Sequence, residues 1–290
     1  MAGVPMTIRP KIIAAMVAVV AVAGCVDRTA EQYREYARFV TRDGGMRAER
    51  SPEDAQFSNA ELATNFEKIA LNREYRREEG KLIEATTPSL ISRWRDPIRY
   101  QILGGGVTPL DKADYAELAA RLTDLTGVEV AEGDSDPNVT ILILTADERR
   151  AFIDELEEDG IAERMPLVIE WAQKLSYPCV GQVGYRDANT GQITGAMIVI
   201  KAELEGLFRK SCIHEELVQT MGLMNDDKRV RPSIFNDDQE FALLTEHDEY
   251  LLRILYDDRL QPGMEANEAL PLVPAIIEDL RPETDAAAVN

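Results

Sequence analysis

An α+β domain is the fold this sequence predicts. Three observations predict it: strand and helix periodicities alternate along the chain, several helical segments carry their own start and stop signals, and a hairpin rich in β-branched residues stands near the middle. Taken in order, Ser58 has the position of an N-cap, with Glu61 three residues on completing a capping box. Leu62, Phe66, Ile69 and Ala70 then mark one face of a helix reaching the mid-seventies. Ile98–Leu103 is a short apolar run ended by Gly104-Gly105-Gly106, which suits a strand leaving into a loop. Thr108-Pro109 opens a helix with Tyr115, Leu118, Ala119, Leu122 and Leu125 at helical spacing and Gly127 as its stop.

Residues 128–131 and 139–144 read as two further strands, 146–159 as a charged helix closed by Gly160, and 166–175 as another helix. The hairpin follows, with strands over 180–185 and 193–200. A third main helix covers 207–223, with Gly222 near its end. After an irregular segment, a last strong helix over 245–256 keeps Tyr250, Leu251, Ile254 and Leu255 on one apolar face. The tail from Pro262 holds one more short helix at 276–280.

Ahead of residue 58 this periodicity is missing. Residues 27–58 are polar and strongly charged and read as a tether. Before them Arg9 and Lys11 precede an unbroken apolar run over 12–23, the layout of a signal peptide. The run ends in Val22-Ala23-Gly24-Cys25, which resembles a bacterial lipobox. That resemblance implies cleavage before Cys25, acylation of its thiol with palmitate-type chains, and a protein held by lipid in the cell envelope. Val26 after the cysteine resembles the sorting pattern of outer-membrane lipoproteins, which implies a periplasm-facing anchor. The alternative is an uncleaved span, but crossing the hydrocarbon core takes about 20 apolar residues, and the run stops short of that at Asp27. The expected layout is a signal peptide over 1–24, a tether over 25–57, an α+β body over 58–261 and a tail over 262–290.

Removing residues 1–24 takes away Arg9 and Lys11 and no acidic residue, which moves the formal net charge from −20 to −22. Such a surface repels phosphate backbones and excludes nucleic acid as a partner. With Cys25 used by lipid, the other two of the three cysteines, Cys179 and Cys212, are left in an oxidising compartment. A disulfide between them is the simple expectation, two buried free thiols being the alternative. It would close a loop of about 33 residues, worth roughly 3 to 4 kcal/mol.

The segment with the most chemical information is Cys212-Ile213-His214-Glu215-Glu216-Leu217-Val218-Gln219-Thr220-Met221-Gly222-Leu223-Met224-Asn225-Asp226. Two residues four apart on a helix can grip one ion, but the partner position of His214 is Val218, which cannot ligate a metal. At about 100° per residue His214 shares an arc with Leu217, Val218 and Met221 and reads as a core residue. Glu215, Glu216 and Gln219 share the opposite side with Cys212.

Read from Glu215, the order Glu-Glu-x-x-Gln-x-x-Gly-x-x-Asn resembles the metzincin metallopeptidase pattern with its glycine in place. Two more features over 94–256 carry the resemblance: Ser233-Ile234-Phe235 is similar to a Met-turn with Phe235 in place of methionine, and the segment from Leu244-Thr245 through Asp248, Leu251, Leu252 and Tyr256 is similar to the last metzincin helix. The resemblance implies a metzincin-like single domain with a small mixed sheet, an edge strand just before the active-site helix, and a C-terminal helix. It puts Glu215, Gln219 and Asn225 at the metal-ligand positions and Glu216 at that of the general base. The chain also resembles a family of uncharacterised proteobacterial lipoproteins with a domain of unknown function, through Glu-Glu-Leu-x-Gln, Gly-Leu-x-Asn-Asp and Ser-Ile-Phe-Asn-Asp.

Only His214 and His247 exist in the chain, so a three-histidine zinc site cannot be built. One carboxylate and two amide oxygens suit calcium, magnesium or manganese better, and the sequence names no cofactor. Two functions follow. In the first, a non-catalytic binding or structural module with an envelope protein as partner, Glu215, Glu216, Gln219, Asn225 and Asp226 form a polar cluster. In the second, a metal-dependent hydrolase, Glu216 is the base and Glu215, Gln219 and Asn225 or Asp226 are oxygen ligands.

Overall fold

A computed structural model describes residues 29–78, 81–133, 135–236 and 239–282. Cys25 and the signal segment lie outside them. The protein mixes helix and strand as an α+β chain does, around a sheet whose central strands run in the order β5 (Val130–Glu132), β4 (Ile98–Leu103), β6 (Val139–Leu144) and β8 (Gln192–Lys201), all parallel. β7 (Cys179–Tyr185) pairs antiparallel with β8, and β3 (Arg93–Trp94) pairs in parallel with the first two residues of β8. Parallel strands covered on both faces read as continuous apolar runs, and Val139–Leu144 is buried at every position. Side chains of alternate residues go to opposite faces: Ile141, Ile143, Ile198 and Ile200 join the larger core, while Leu142, Leu144, Met197 and Val199 join a smaller one.

The smaller core is closed by α4 (Ala146–Glu158) and α5 (Pro166–Gln173) through Phe152, Leu156, Val168 and Trp171. The larger core is covered by α3 (Pro109–Thr126), α6 (Gly206–Gln219) and α7 (Glu246–Leu255), with α2 (Asn59–Ala70) packed on α7. The capping box at Ser58 forms as the sequence predicts, Thr108 opens α3 as expected and adds a capping box with Asp111, and Gly127 ends α3 in the left-handed region at φ 71°. Among the described residues no helix is long and apolar enough to cross a membrane.

Three expectations are corrected. The helix from residue 59 stops at Ala70, because β1 (Asn72–Glu78) begins there and pairs with β2 (Lys81–Pro88) as a separate antiparallel ribbon. The segment expected as a tether is docked over its described residues. α1 (Thr29–Arg42) buries Tyr33 and Val40, and the following strap bonds through Met46 N–H to Gln239 O (2.7 Å), Arg47 N–H to Glu240 O (2.7 Å) and Glu246 N–H to Arg50 O (2.7 Å). The tail is likewise part of the body to residue 280: α8 (Ala266–Ala269) and α9 (Val273–Leu280) follow, and α9 buries Val273, Ile276 and Ile277 against α2 and α7.

Candidate functional site

The strand entering α6 is β8, an internal strand, and the edge strand is β7 one step earlier; this replaces the expected edge strand immediately before the helix. α6 runs alongside β7, and the Cys179–Cys212 disulfide joins the two at a Cα separation of 5.9 Å. Between them lies a groove of about 540 Å³, with the β1–β2 ribbon contributing its opposite wall.

The end of α6 is tightly held. Its carbonyls at Thr220 and Met221 accept from Trp94 Nε1–H (2.8 Å) and Tyr256 O–H (2.8 Å), which satisfies groups every helix end leaves open. Gly222 turns the chain there with φ 120°, and a Cβ on it would stand 1.9 Å from the Ser92 carbonyl oxygen, so only glycine fits. The Ser233-Ile234-Phe235 segment is tied to the start of α7 by Asp248. That carboxylate accepts from the Ser233 hydroxyl, from Ile234 N–H (3.1 Å), and from the Thr245 N–H (3.0 Å) and hydroxyl (2.8 Å).

Four members of the expected polar cluster come together: Glu215, Glu216, Gln219 and Asp226 all line the groove. Asn225 does not join them. It is 1% exposed, its Nδ2 donates to the Lys68 carbonyl at the end of α2 (2.9 Å), and its Oδ1 is buried with no hydrogen-bond partner among the described residues. The loop after Gly222 points this amide into the body, so Asn225 is corrected as a ligand beside Glu215 and Gln219. His214 sits in the core as the helical wheel predicts; its Nδ1 accepts from Leu244 N–H (3.1 Å), and burial, with Lys210 and Arg121 nearby, pushes it down to about 3. His247 is fully buried on α7, with Nε2 against Asn65 Nδ2 (3.1 Å) and its ring edge-on to Phe57. Neither histidine lines the groove.

Glu216 is 5% exposed, and its Oε2 has no hydrogen-bond partner among the described residues. Burial raises its carboxyl well above the ordinary glutamate range, and the nearby charges of Asp226 and Glu74 raise it further, while the Gly181 backbone acts the other way. The sequence reading missed the groove's opposite wall, with Arg73, Glu74, Tyr75 and Glu84 of the ribbon, and Gly181 on β7. Gly181 carried a signal, since an isolated glycine in a strand pattern marks a close approach. The ribbon carried little, because its strands are crowded with charge.

Chemically the groove offers a buried carboxyl whose neutral form is favoured, four further acidic side chains at Glu74, Glu84, Glu215 and Asp226, and one strand edge. Among the described residues no three His, Cys, Asp or Glu side chains converge as a metal site. Comparison with protein families matches residues 59–275 to a family described as protein of unknown function, DUF2927. No curated protein and no solved structure matches the chain.

Proposed function

The chain belongs to the DUF2927 family of proteins of unknown function; from its sequence motifs and the geometry of its groove we propose that it is a lipid-anchored envelope protein whose metzincin-like domain binds an extended chain without cleaving it. The metzincin likeness is supported by the sheet order β5–β4–β6–β8–β7 with its antiparallel edge, by the glycine at the end of α6, and by the Ser233 segment fastened to α7. The lipid anchor is supported by the Val22-Ala23-Gly24-Cys25 motif and by a disulfide between the two other cysteines.

The observation that carries the non-catalytic reading is the orientation of the groove's polar residues. Glu215 and Gln219 face the groove, Asn225 is bonded elsewhere, and the environment of Glu216 disfavours the charged form that a general base needs. The zinc of the metzincins does not fit this donor set. β7, which pairs with β8 alone among the described strands, instead suits strand addition by an extended segment beyond Gly181, and the carboxylates favour one that carries Lys or Arg.

The test pairs elemental mass spectrometry on the disulfide-intact mature protein, lipid cysteine replaced, with an array of extended peptides. A Glu215→Ala/Gln219→Ala variant is the control. The expected result is basic peptides retained intact, no stoichiometric metal, and binding lost in the control. Near-stoichiometric metal that the control loses, or peptide cleavage, would establish the metal-dependent hydrolase instead, with Glu215 and Gln219 as oxygen ligands.

A further inference from the structure

Soluble domains scatter single apolar residues over their surfaces, and only a contiguous set points to an interaction. Among the described residues the large apolar side chains left exposed are Tyr36, Phe39, Leu110, Leu175 and Leu207, between 38% and 76% exposed. Contacts connect the segments that carry them. Tyr36 and Phe39 lie on α1. The Leu175 carbonyl accepts from the Tyr33 hydroxyl of that helix (2.7 Å), and Leu207 precedes Phe208, whose ring packs on both Tyr33 and Tyr36. Leu110 precedes Asp111, which is paired with Arg209 in the same first turn of α6 (2.6 Å).

α1 begins four residues after Cys25 in the sequence. Four residues of chain span at most about 14 Å, so an anchor at position 25 would keep the start of α1 close to the bilayer. The helix carries Arg34, Arg38 and Arg42 against Glu31 and Glu35, a positive balance in a chain of net charge −20. Aromatic side chains beside arginines on one helix suit the headgroup layer of an anionic bilayer.

We propose that this face, built from α1 and the first turns of α3 and α6, lies on the surface of the bilayer that holds the lipid anchor. The inference rests on the lipid-anchored reading above. It also fixes where the groove opens. Phe208, Ser176 and Tyr177 border the apolar face and line the groove, so one end of the groove lies beside the membrane and its ligand is met there.

The experiment uses the mature chain with a hexahistidine tag in place of Cys25, held by a nickel-chelating lipid on vesicles of phosphatidylethanolamine and phosphatidylglycerol. Hydrogen exchange is compared between held and free protein, beside a Tyr36→Ser/Phe39→Ser variant. Phe39 is half exposed and Tyr36 rests on Phe208, so the melting temperature of the variant is measured alongside and a Phe39→Ser single variant, which leaves the Tyr36–Phe208 contact in place, is compared with it. The expected result is exchange slowed several-fold over 29–42 and around 207–208 in the wild type, with that protection lost in the variant. Equal exchange in held and free protein, protection centred on Val273–Leu280, or protection unchanged in the variant overturns the proposal. The chelating lipid supplies the tether, so failure of the anchor reading is seen separately, as an unacylated N-terminal peptide in native membranes.

Discussion

Gly181 on β7 lies against Glu216 on α6 so closely that a Cβ on Gly181 would stand 3.0 Å from Glu216 Oε2 and 3.2 Å from Thr220 Cγ2. The missing side chain is what lets the strand edge and the buried carboxyl share the floor of one groove. Adding a methyl there forces the carboxyl or the helix to give way. Gly181→Ala is expected to lose about 1 to 2 kcal/mol in denaturant unfolding, the usual scale of overpacking. A variant as stable as the wild type would mean that the contact is not tight.

The same carboxyl makes stability depend on pH. Its folded-state value is raised, so its stabilising contribution is fully present below the ordinary glutamate value and is lost as pH rises through the raised one. Glu216→Gln, neutral at every pH, is expected to remove that slope and to gain on the order of 1 to 3 kcal/mol at pH 7. Unfolding curves from pH 4.5 upward test this; parallel slopes in both proteins would contradict it.

His214 acts with the opposite sign. Its value is pushed down from 6.5 to about 3, so its contribution is present above 6.5 and is lost as pH falls towards 3. Stability is expected to drop by roughly 1.4 kcal/mol per pH unit over that window. His214→Leu removes the drop but orphans Leu244 N–H, which costs about 1 to 3 kcal/mol at pH 8. The measurement is a pair of acid titrations followed by circular dichroism, and an unchanged acid slope in the variant would argue against a buried neutral imidazole.

Reduction of the Cys179–Cys212 bridge, whose partners are 33 residues apart, releases the strand from the helix. A Cys179→Ser/Cys212→Ser protein is expected to be less stable by about 3 to 4 kcal/mol. Comparing its melting temperature with that of the reduced wild type checks the figure, and near-identity of oxidised and double-serine proteins would refute it.

Where one local rule decided the structure, the sequence could be read. Ser58 with Glu61, Thr108-Pro109 at the start of α3, and the all-apolar run of β6 each specify an element without help from distant residues. His214 was legible too, because Val218 at the partner position and the apolar arc leave it little but packing. Asn225 was not. The pattern fixes its spacing from Gln219, but its direction depends on how the chain leaves Gly222 and on the Lys68 carbonyl, more than 150 residues earlier in sequence. The docking of α1 was obscured for a related reason: its exposed face is crowded with Arg and Glu, and only Tyr33 and Val40 betray the buried side.

The two walls of the groove differ mechanically. One is a strand of the central sheet, locked covalently to a helix through Cys179 and Cys212. The other is a two-stranded ribbon, a unit with little stability of its own. It is fastened at its base, where Arg73 reaches Ser89 Oγ (2.8 Å) and the Tyr185 hydroxyl of β7 (3.3 Å), and among the described residues neither of its strands pairs with a strand of the main sheet. A ligand of the kind proposed would thus meet a vice with one fixed jaw and one compliant jaw, the ribbon taking up differences in bulk while the floor at Glu216 keeps its shape.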